Sequence, residues 1–143
     1  MRSILGPRFA CSVLVAWLGL PGSAGAADEV VVLCPDIGES VGVFQTRDGG
    51  GGLAQSLLSA GYDVQLVDPW DGATARERGF DAVLEEVYPV LVDAVSVEGV
   101  SVIWVGRGLC GLLPVAAAAA GQDTEVSAWI SLGTRFDFRY PAA

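Results

Sequence analysis

The residues best placed to do chemistry lie between Val100 and Leu112. A run of β-branched and apolar residues ends there at Gly106, and further glycines stand at Gly108 and Gly111. This pattern predicts a buried strand that turns sharply into a helix. Such a turn has the shape of a nucleophile elbow, which lifts one side chain above a sheet so that it can attack a carbonyl group.

The segment resembles the α/β-hydrolase family, whose elbow reads Gly-x-Ser-x-Gly. Laid over residues 106–110, that pattern places Gly108 where the family has its serine. In the family, a His-Gly loop after the first long parallel strand helps to form the oxyanion hole, and the matching pair here is Pro35-Asp36. Proline has no N–H to donate, and an aspartate disfavours a developing oxyanion. The resemblance therefore implies the family's fold with a vacated elbow.

The chain contains no histidine, which is the usual general base and a common metal ligand. Neither a Ser-His-Asp nor a Cys-His mechanism can be assembled from this chain alone, and we predict no metal site and no cofactor. An alternative places the elbow two residues later, at Gly108-Leu109-Cys110-Gly111. Cys110 would then be the nucleophile, as in hydrolase relatives that build polyesters, although no histidine could deprotonate its thiol.

The resemblance also implies which residues meet at one edge of the sheet. In the family's strand order, the strand that ends at Cys34 lies beside the strand that ends at Gly106, which brings Cys34 close to Cys110. An oxidising compartment would allow a disulfide between them, and the alternative is two unconnected buried thiols. Ligands of such sheets bind above the carboxyl ends of the strands. The predicted binding residues at that edge are Asp36, Asp68, Arg107 and Arg135, with Glu39 beside them.

The elements that position these residues follow from the apolar pattern. Strands are predicted near residues 30–33, 63–67, 100–106 and 126–132, and helices near 53–60, 81–95 and 109–120. Pro89 predicts a kink near residues 85–89, residues 74–79 are expected to form a charged connection, and Trp129 and Ile130 are expected to be buried. The alternation predicts an α/β three-layer sandwich with a short parallel sheet of about four strands, a truncated hydrolase-like core.

The N-terminal residues have the pattern of a secretory signal peptide. Arg2 and Arg8 precede and flank an apolar run up to Leu20, and Ala24-Gly25-Ala26 is a small-residue cleavage site. We predict a signal peptide over residues 1–26, a single domain over 27–143, and export to the periplasm or the extracellular space. An uncleaved anchor is the alternative, but the run is shorter than the roughly 20 residues that cross a bilayer.

The net charge and the open edges of the sheet limit which classes of partner are possible. Without Arg2 and Arg8, 6 basic residues face 17 acidic ones, a net charge of −11. Such a surface repels nucleic acid and anionic lipid, so we predict no nucleic-acid partner and no membrane partner after cleavage. In a truncated sheet the strands that contain Val64 and Val126 would be open edges, which favours self-association or a second polypeptide.

Three functions remain open from the sequence. The first is an exported α/β-hydrolase-like protein that is inactive or an incomplete fragment and binds a ligand or partner above the strand ends. The second is an ester or thioester hydrolase that uses Cys110 or is completed by a second polypeptide. The third is an interaction module of the cell envelope.

Overall fold

Four parallel strands form the sheet, and a two-residue strand lies antiparallel at one edge. The structure is a computed structural model that describes residues 16–17, 28–45, 51–122 and 125–134. The strand order is β1-β3-β2-β4-β5. The strands are β1 (Ala16–Trp17), β2 (Glu29–Cys34), β3 (Asp63–Leu66), β4 (Ser101–Arg107) and β5 (Val126–Leu132).

The central strands are apolar on both faces because helices cover the sheet from both sides. In β2, Val30 and Val32 face one core, whereas Val31 and Leu33 face the other. Successive side chains of a strand point to opposite faces, so a continuous apolar run suits a strand that is buried twice. The predicted α/β class with a parallel sheet is confirmed.

The two faces carry different numbers of helices. A 3₁₀ turn at Val41–Phe44 and helix α1 (Leu53–Ser59) pack on the face of the smaller core. The larger core lies under α2, α3 and α4. These helices span Ala73–Ala82, Tyr88–Val95 and Leu113–Ala119, and a 3₁₀ turn at Gly108–Leu112 leads into the last of them.

The helical segment before Pro89 is interrupted, as the sequence predicted. A π-helical turn at Val83–Val87 joins α2 to α3, and Pro89 is the second residue of α3. A proline ring clashes with the carbonyl four residues earlier in an α-helix and removes one hydrogen-bond donor. A π-helical turn is one of the local changes that accommodate this loss. Glu85, Glu86 and Asp93 face solvent.

Two sequence expectations about packing are wrong. Trp129 and Ile130 are exposed rather than buried, because β5 lies at the edge of the sheet and the described helices do not cover its outer half. The apolar pattern of a strand does not reveal whether it lies at the centre or at an edge. The charged connection predicted at residues 74–79 instead belongs to α2, which is broken at Gly79, where φ is 77°.

In the full-length chain, the strand that contains Val64 is paired on both sides, although its outer partner lies within the predicted signal peptide. The expectation of an open edge there concerns the chain after cleavage and stays a prediction. Ala16 and Trp17 pair with Leu66 and Gln65 of β3. The rest of the predicted signal peptide lies outside the described residues, so its cleavage stays a prediction. No helix within the described ranges is long and apolar enough to cross a membrane.

Tyr88 offers a test of the larger core. Its ring meets Trp104 edge-on with centroids 5.1 Å apart, and its buried hydroxyl has no hydrogen-bond partner among the described residues. Burial raises the pKa of this hydroxyl far above its usual value. We expect Tyr88→Phe to raise the free energy of unfolding by about 1 kcal/mol, because an unsatisfied buried hydroxyl is removed while the ring contact is kept.

Urea denaturation followed by tryptophan fluorescence measures this effect. Tyr62→Phe is the control, because Tyr62 is only partly buried, beside the smaller core, and its stability should change little. A Tyr88→Phe variant less stable than the parent chain would contradict the assignment of an unsatisfied hydroxyl.

Candidate functional site

The candidate site lies where the sheet changes its winding direction. β2 lies beside β4, and Cys34 is in register with Gly106. The chain leaves β2 toward β3 on one side of the sheet and leaves β4 toward β5 on the other. The connections therefore diverge between the carboxyl ends of β2 and β4, and open α/β sheets hold their ligands in such a crevice.

The Asp36 carboxylate fills this crevice. Its Oδ1 atom accepts hydrogen bonds from the backbone N–H of Ile37 and from the backbone N–H of Leu109, both at 2.8 Å. Leu109 lies in the turn after β4, 73 residues further along the chain. An anion that accepts two backbone N–H groups gains charge-assisted hydrogen bonds, which are stronger than neutral ones. One side chain thus joins the two loops that border the crevice.

Gly108 is required by this arrangement. Its φ of 48° lies in the left-handed region, where a side chain costs roughly 1–2 kcal/mol. A Cβ atom built on Gly108 would also overlap the carboxyl group of Asp36. The space that a side chain at position 108 would need is therefore occupied by a carboxylate from the neighbouring loop.

A second set of polar contacts holds the loop that carries Asp36. The Glu39 carboxylate accepts the backbone N–H of Asp36 at 3.2 Å and forms an ion pair with Arg107 at 3.0 Å. The Thr134 hydroxyl donates to the carbonyl oxygen of Gly108 at 2.8 Å. These contacts tie the loops after β2, β4 and β5 to one another.

A disulfide between Cys34 and Cys110 lies beneath the same loops. The Cα atoms are 5.9 Å apart, within the range that a disulfide spans, and both residues are fully buried. The bond closes a loop between residues 76 positions apart, which in the chain-entropy description contributes on the order of 4 kcal/mol. In this arrangement Cys110 has no free thiol.

Three tryptophan indoles donate hydrogen bonds to carbonyl groups of these loops. Trp70 binds the carbonyl of Pro35 at 2.9 Å, Trp104 that of Cys110 at 3.1 Å, and Trp129 that of Gly111 at 2.8 Å. A bulky ring thus supplies apolar packing, and its N–H satisfies a carbonyl that has no partner in the sheet. Carbonyl groups of the loop after β2 and of the turn after β4 are thus both bound by indole N–H groups.

A cleft of about 320 Å³ opens beside the crevice, above the ends of β2 and β3. Its volume lies near the lower limit for small-molecule sites. Glu39 is paired with Arg107, and Asp71 with Arg76 at 2.7 Å, so Asp68 is the carboxylate of the cleft without a cationic partner among the described residues. The lining residues are Ile37, Gly38, Glu39, Asp68, Trp70, Asp71, Ala75 and Arg76.

The environment of Asp68 disfavours its charged form. Burial raises the pKa of the Asp68 carboxyl above 3.8, and the nearby charge of Asp71 raises it further, against the opposing effect of the backbone N–H of Trp70, which donates to Oδ1 at 3.0 Å. The carboxylate therefore has unmet capacity to interact with a hydrogen-bond donor or a cation in the cleft.

The structure brings together most of the residues that the sequence singled out. Asp36, Gly108 and Arg107 lie at the crevice, and Asp68 lies in the cleft beside it. Arg135 lies outside the described residues. Sequence reasoning did not identify Trp70 or the Asp71–Arg76 pair, and it did not foresee that Asp36 would bond to the elbow.

A signal for the Asp36 contact was present in the strand register. Cys34, the last residue of β2, is in register with Gly106 of β4, and Asp36 and Gly108 each follow two residues later. An acidic residue opposite a glycine in two adjacent loops is consistent with a carboxylate bound to the backbone.

Comparisons with known proteins return no relative. No protein-family model, curated protein or solved structure matches this chain. In the part of the chain that the structure describes, no group of three or more Asp, Glu, His or Cys residues is arranged to hold a metal ion. The geometry of the site therefore carries the functional argument by itself.

A double-mutant cycle tests the contact between Asp36 and Gly108. We expect Gly108→Ala to lower the free energy of unfolding by about 2–4 kcal/mol, because left-handed strain adds to overlap with the carboxylate. Asp36→Ala should cost about 1–3 kcal/mol, because the Leu109 N–H loses its acceptor. The double variant should be at least about 1 kcal/mol more stable than the sum of these losses predicts.

Gly99→Ala is the matched control for the cycle. Gly99 has a φ of 81°, and nothing lies within 4 Å of a Cβ built on it, so its substitution introduces strain without overlap. The losses from Gly99→Ala and Asp36→Ala should add. Additive losses for Gly108→Ala and Asp36→Ala would mean that the carboxylate does not occupy the elbow.

The raised pKa of Asp68 predicts a pH-dependent effect on stability. The folded chain holds the proton of Asp68 more tightly than the unfolded chain, so ionisation at higher pH disfavours the folded state. Asp68→Asn should therefore be more stable than the parent chain at pH 7, since its amide oxygen still accepts the Trp70 N–H. The advantage should vanish as the pH falls below 3.8.

Urea midpoints measured across the acid range test this expectation. Asp93→Asn is the comparison, because Asp93 is an exposed carboxylate on α3, and its substitution should bring no gain at pH 7. A gain for Asp68→Asn that is equal at pH 7 and in acid would contradict the titration argument.

Proposed function

We propose that this chain is an exported, non-catalytic α/β-hydrolase-like protein that binds a small ligand at the carboxyl edge of its sheet. The observation that carries the proposal is the Asp36 carboxylate, which takes the N–H of Leu109 and fills the space above Gly108. The predicted signal peptide is the basis for export.

Acyl transfer at this turn would require a nucleophile and a free backbone N–H that stabilises the oxyanion. In α/β-hydrolases, the N–H of the residue after the nucleophile stabilises the oxyanion of the tetrahedral intermediate. Leu109 is the residue after Gly108, and its N–H already binds an anion. A reacting carbonyl would have to displace a carboxylate that belongs to the same chain, and Gly108 offers no nucleophile.

Catalysis by Cys110 is disfavoured by the disulfide. A sulfur bonded to Cys34 has no thiolate to attack an ester, and both sulfurs are buried. We therefore do not propose the shifted elbow at Gly108-Leu109-Cys110-Gly111 as an active site.

The cleft beside Asp36 is the proposed ligand site. It has a buried aromatic wall at Trp70, and the Asp68 carboxylate is without a cationic partner among the described residues. An apolar wall with a single polar group that can orient a ligand is typical of small-molecule sites. We propose that the ligand is compact and carries a hydrogen-bond donor that meets Asp68.

Hydrolysis of a short-chain nitrophenyl ester by the purified chain tests the non-catalytic part. We expect no turnover above that of a heat-denatured control, and no change with a thiol-blocking reagent or in Cys110→Ala, because neither a nucleophile nor a free oxyanion donor is available. Turnover that either treatment abolishes would make Cys110 the nucleophile.

A fragment screen observed by NMR at the Trp70 indole tests the binding part. Fragments that carry an amine or hydroxyl donor should shift this resonance, and Asp68→Asn should weaken their binding about tenfold. Asp63→Asn is the control, since Asp63 lies at the opposite end of β3. The proposed ligand site would be contradicted if no fragment with a hydrogen-bond donor binds. It would also be contradicted if Asp68→Asn leaves the affinity of such fragments unchanged.

A second candidate function is an interaction module of the cell envelope. The exposed apolar side chains of Trp129, Ile130 and Leu132 on the edge strand favour it. Co-purification of a partner at fixed stoichiometry from the envelope fraction, lost on substitution of Ile130, would support this function over ligand binding alone.

A further inference from the structure

The outer edge of β5 is the longest backbone edge of the sheet that no described strand covers. Val126–Leu132 pairs with β4 on one side, and no strand in the described ranges pairs with its other side. A strand in this position presents a row of backbone N–H and C=O groups that are ready to pair with another chain. At the other end of the sheet, β3 has four residues, begins with the charged Asp63 and pairs in the full-length chain with β1, which lies in the predicted signal peptide.

The side chains of β5 do not protect this edge. Trp129, Ile130 and Leu132 are 42%, 48% and 38% exposed. The sequence from Val126 to Thr134 contains no charged residue and no proline, which are the usual means of blocking an edge strand. Among the described residues, the edge is therefore open to strand addition, and it carries apolar side chains that would be stabilised by burial.

The side chains of alternate residues of β5 form an apolar strip on one face of the sheet. This strip consists of Ala128, Ile130 and Leu132, which are in register with Ile103, Val105 and Arg107 of β4. Ile103 and Val105 belong to the smaller core, in which Ile103 is only partly buried. A strand added at β5 would extend this face and cover part of its exposed apolar strip through cross-strand contacts.

Charge restricts where a second copy can approach the chain. The chain carries a net charge of −9, so two copies repel each other over most of their surface. From Val126 to Thr134 the strand is uncharged, which makes β5 an edge that a like-charged copy can approach without placing carboxylates opposite each other.

We propose that two copies of this chain associate through antiparallel pairing of β5 with β5 of the second copy. A two-fold axis through this contact makes it self-complementary, so that each copy supplies the same strand and the same apolar strip. The sheets of the two copies become one continuous sheet. The inference rests on β5 alone and is independent of the ligand site.

Sedimentation of the full-length chain over about a hundredfold range of concentration tests the association. We expect a monomer–dimer equilibrium, and we expect Ile130→Lys to weaken it about tenfold or more, because the two-fold axis brings like charges close together. Ala128→Lys, on the same face, should act in the same way. Val90→Lys is the control, since Val90 is 53% exposed on α3.

Amide hydrogen exchange distinguishes strand pairing from other modes of association. Amides of residues 126–132 should become more protected as the concentration of the parent chain rises, and they should not do so in Ile130→Lys. The proposal is overturned by a parent chain that stays monomeric, by dimers that survive both β5 substitutions, by dimers that Val90→Lys dissociates equally well, or by association without added protection of β5.

Discussion

The Asp36 carboxylate, bound to the N–H groups of Ile37 and Leu109, is the contact on which the arrangement of the site depends. It joins two loops that leave neighbouring strands in opposite directions, and without a bound anion those loops would expose backbone donors above the sheet. Gly108 must lack a side chain for the carboxylate to fit. The glycine in the turn after β4 and the aspartate in the loop after β2 therefore depend on each other.

The rest of the site reinforces this junction by different physical means. The Cys34–Cys110 disulfide joins the same two loops covalently, and indole N–H groups of three tryptophans satisfy carbonyls in those loops. Because these contacts are largely buried, solvent does not compete for them. What stays accessible is the neighbouring cleft, where Asp68 faces the open space. The molecule thus combines a closed crevice with an open cleft.

Much of the fold could be predicted from the order of apolar runs, because strands buried on both faces have continuous β-branched segments such as Val30–Leu33. The adjacency of Cys34 and Gly106 was expected from the strand order of the α/β-hydrolase family, which the sequence resembles. The local pattern of apolar residues did not predict that β5 is exposed at the edge of the sheet. Trp129 and Ile130 have the composition of core residues, yet the strand lies at the edge, and position in a sheet depends on which elements pack beside it.

The sequence by itself determined the α/β class, the glycine-rich turn at Gly106–Gly111, the absence of a histidine base and the acidic charge, because these depend on composition and local periodicity. Only the tertiary structure decided that the Asp36 carboxylate lies over Gly108, that Asp68 has no cationic partner among the described residues, and that no described strand covers the outer edge of β5. Each of these depends on distances between segments far apart in the chain. Such distances result from strand order and register, which no local stretch of residues specifies.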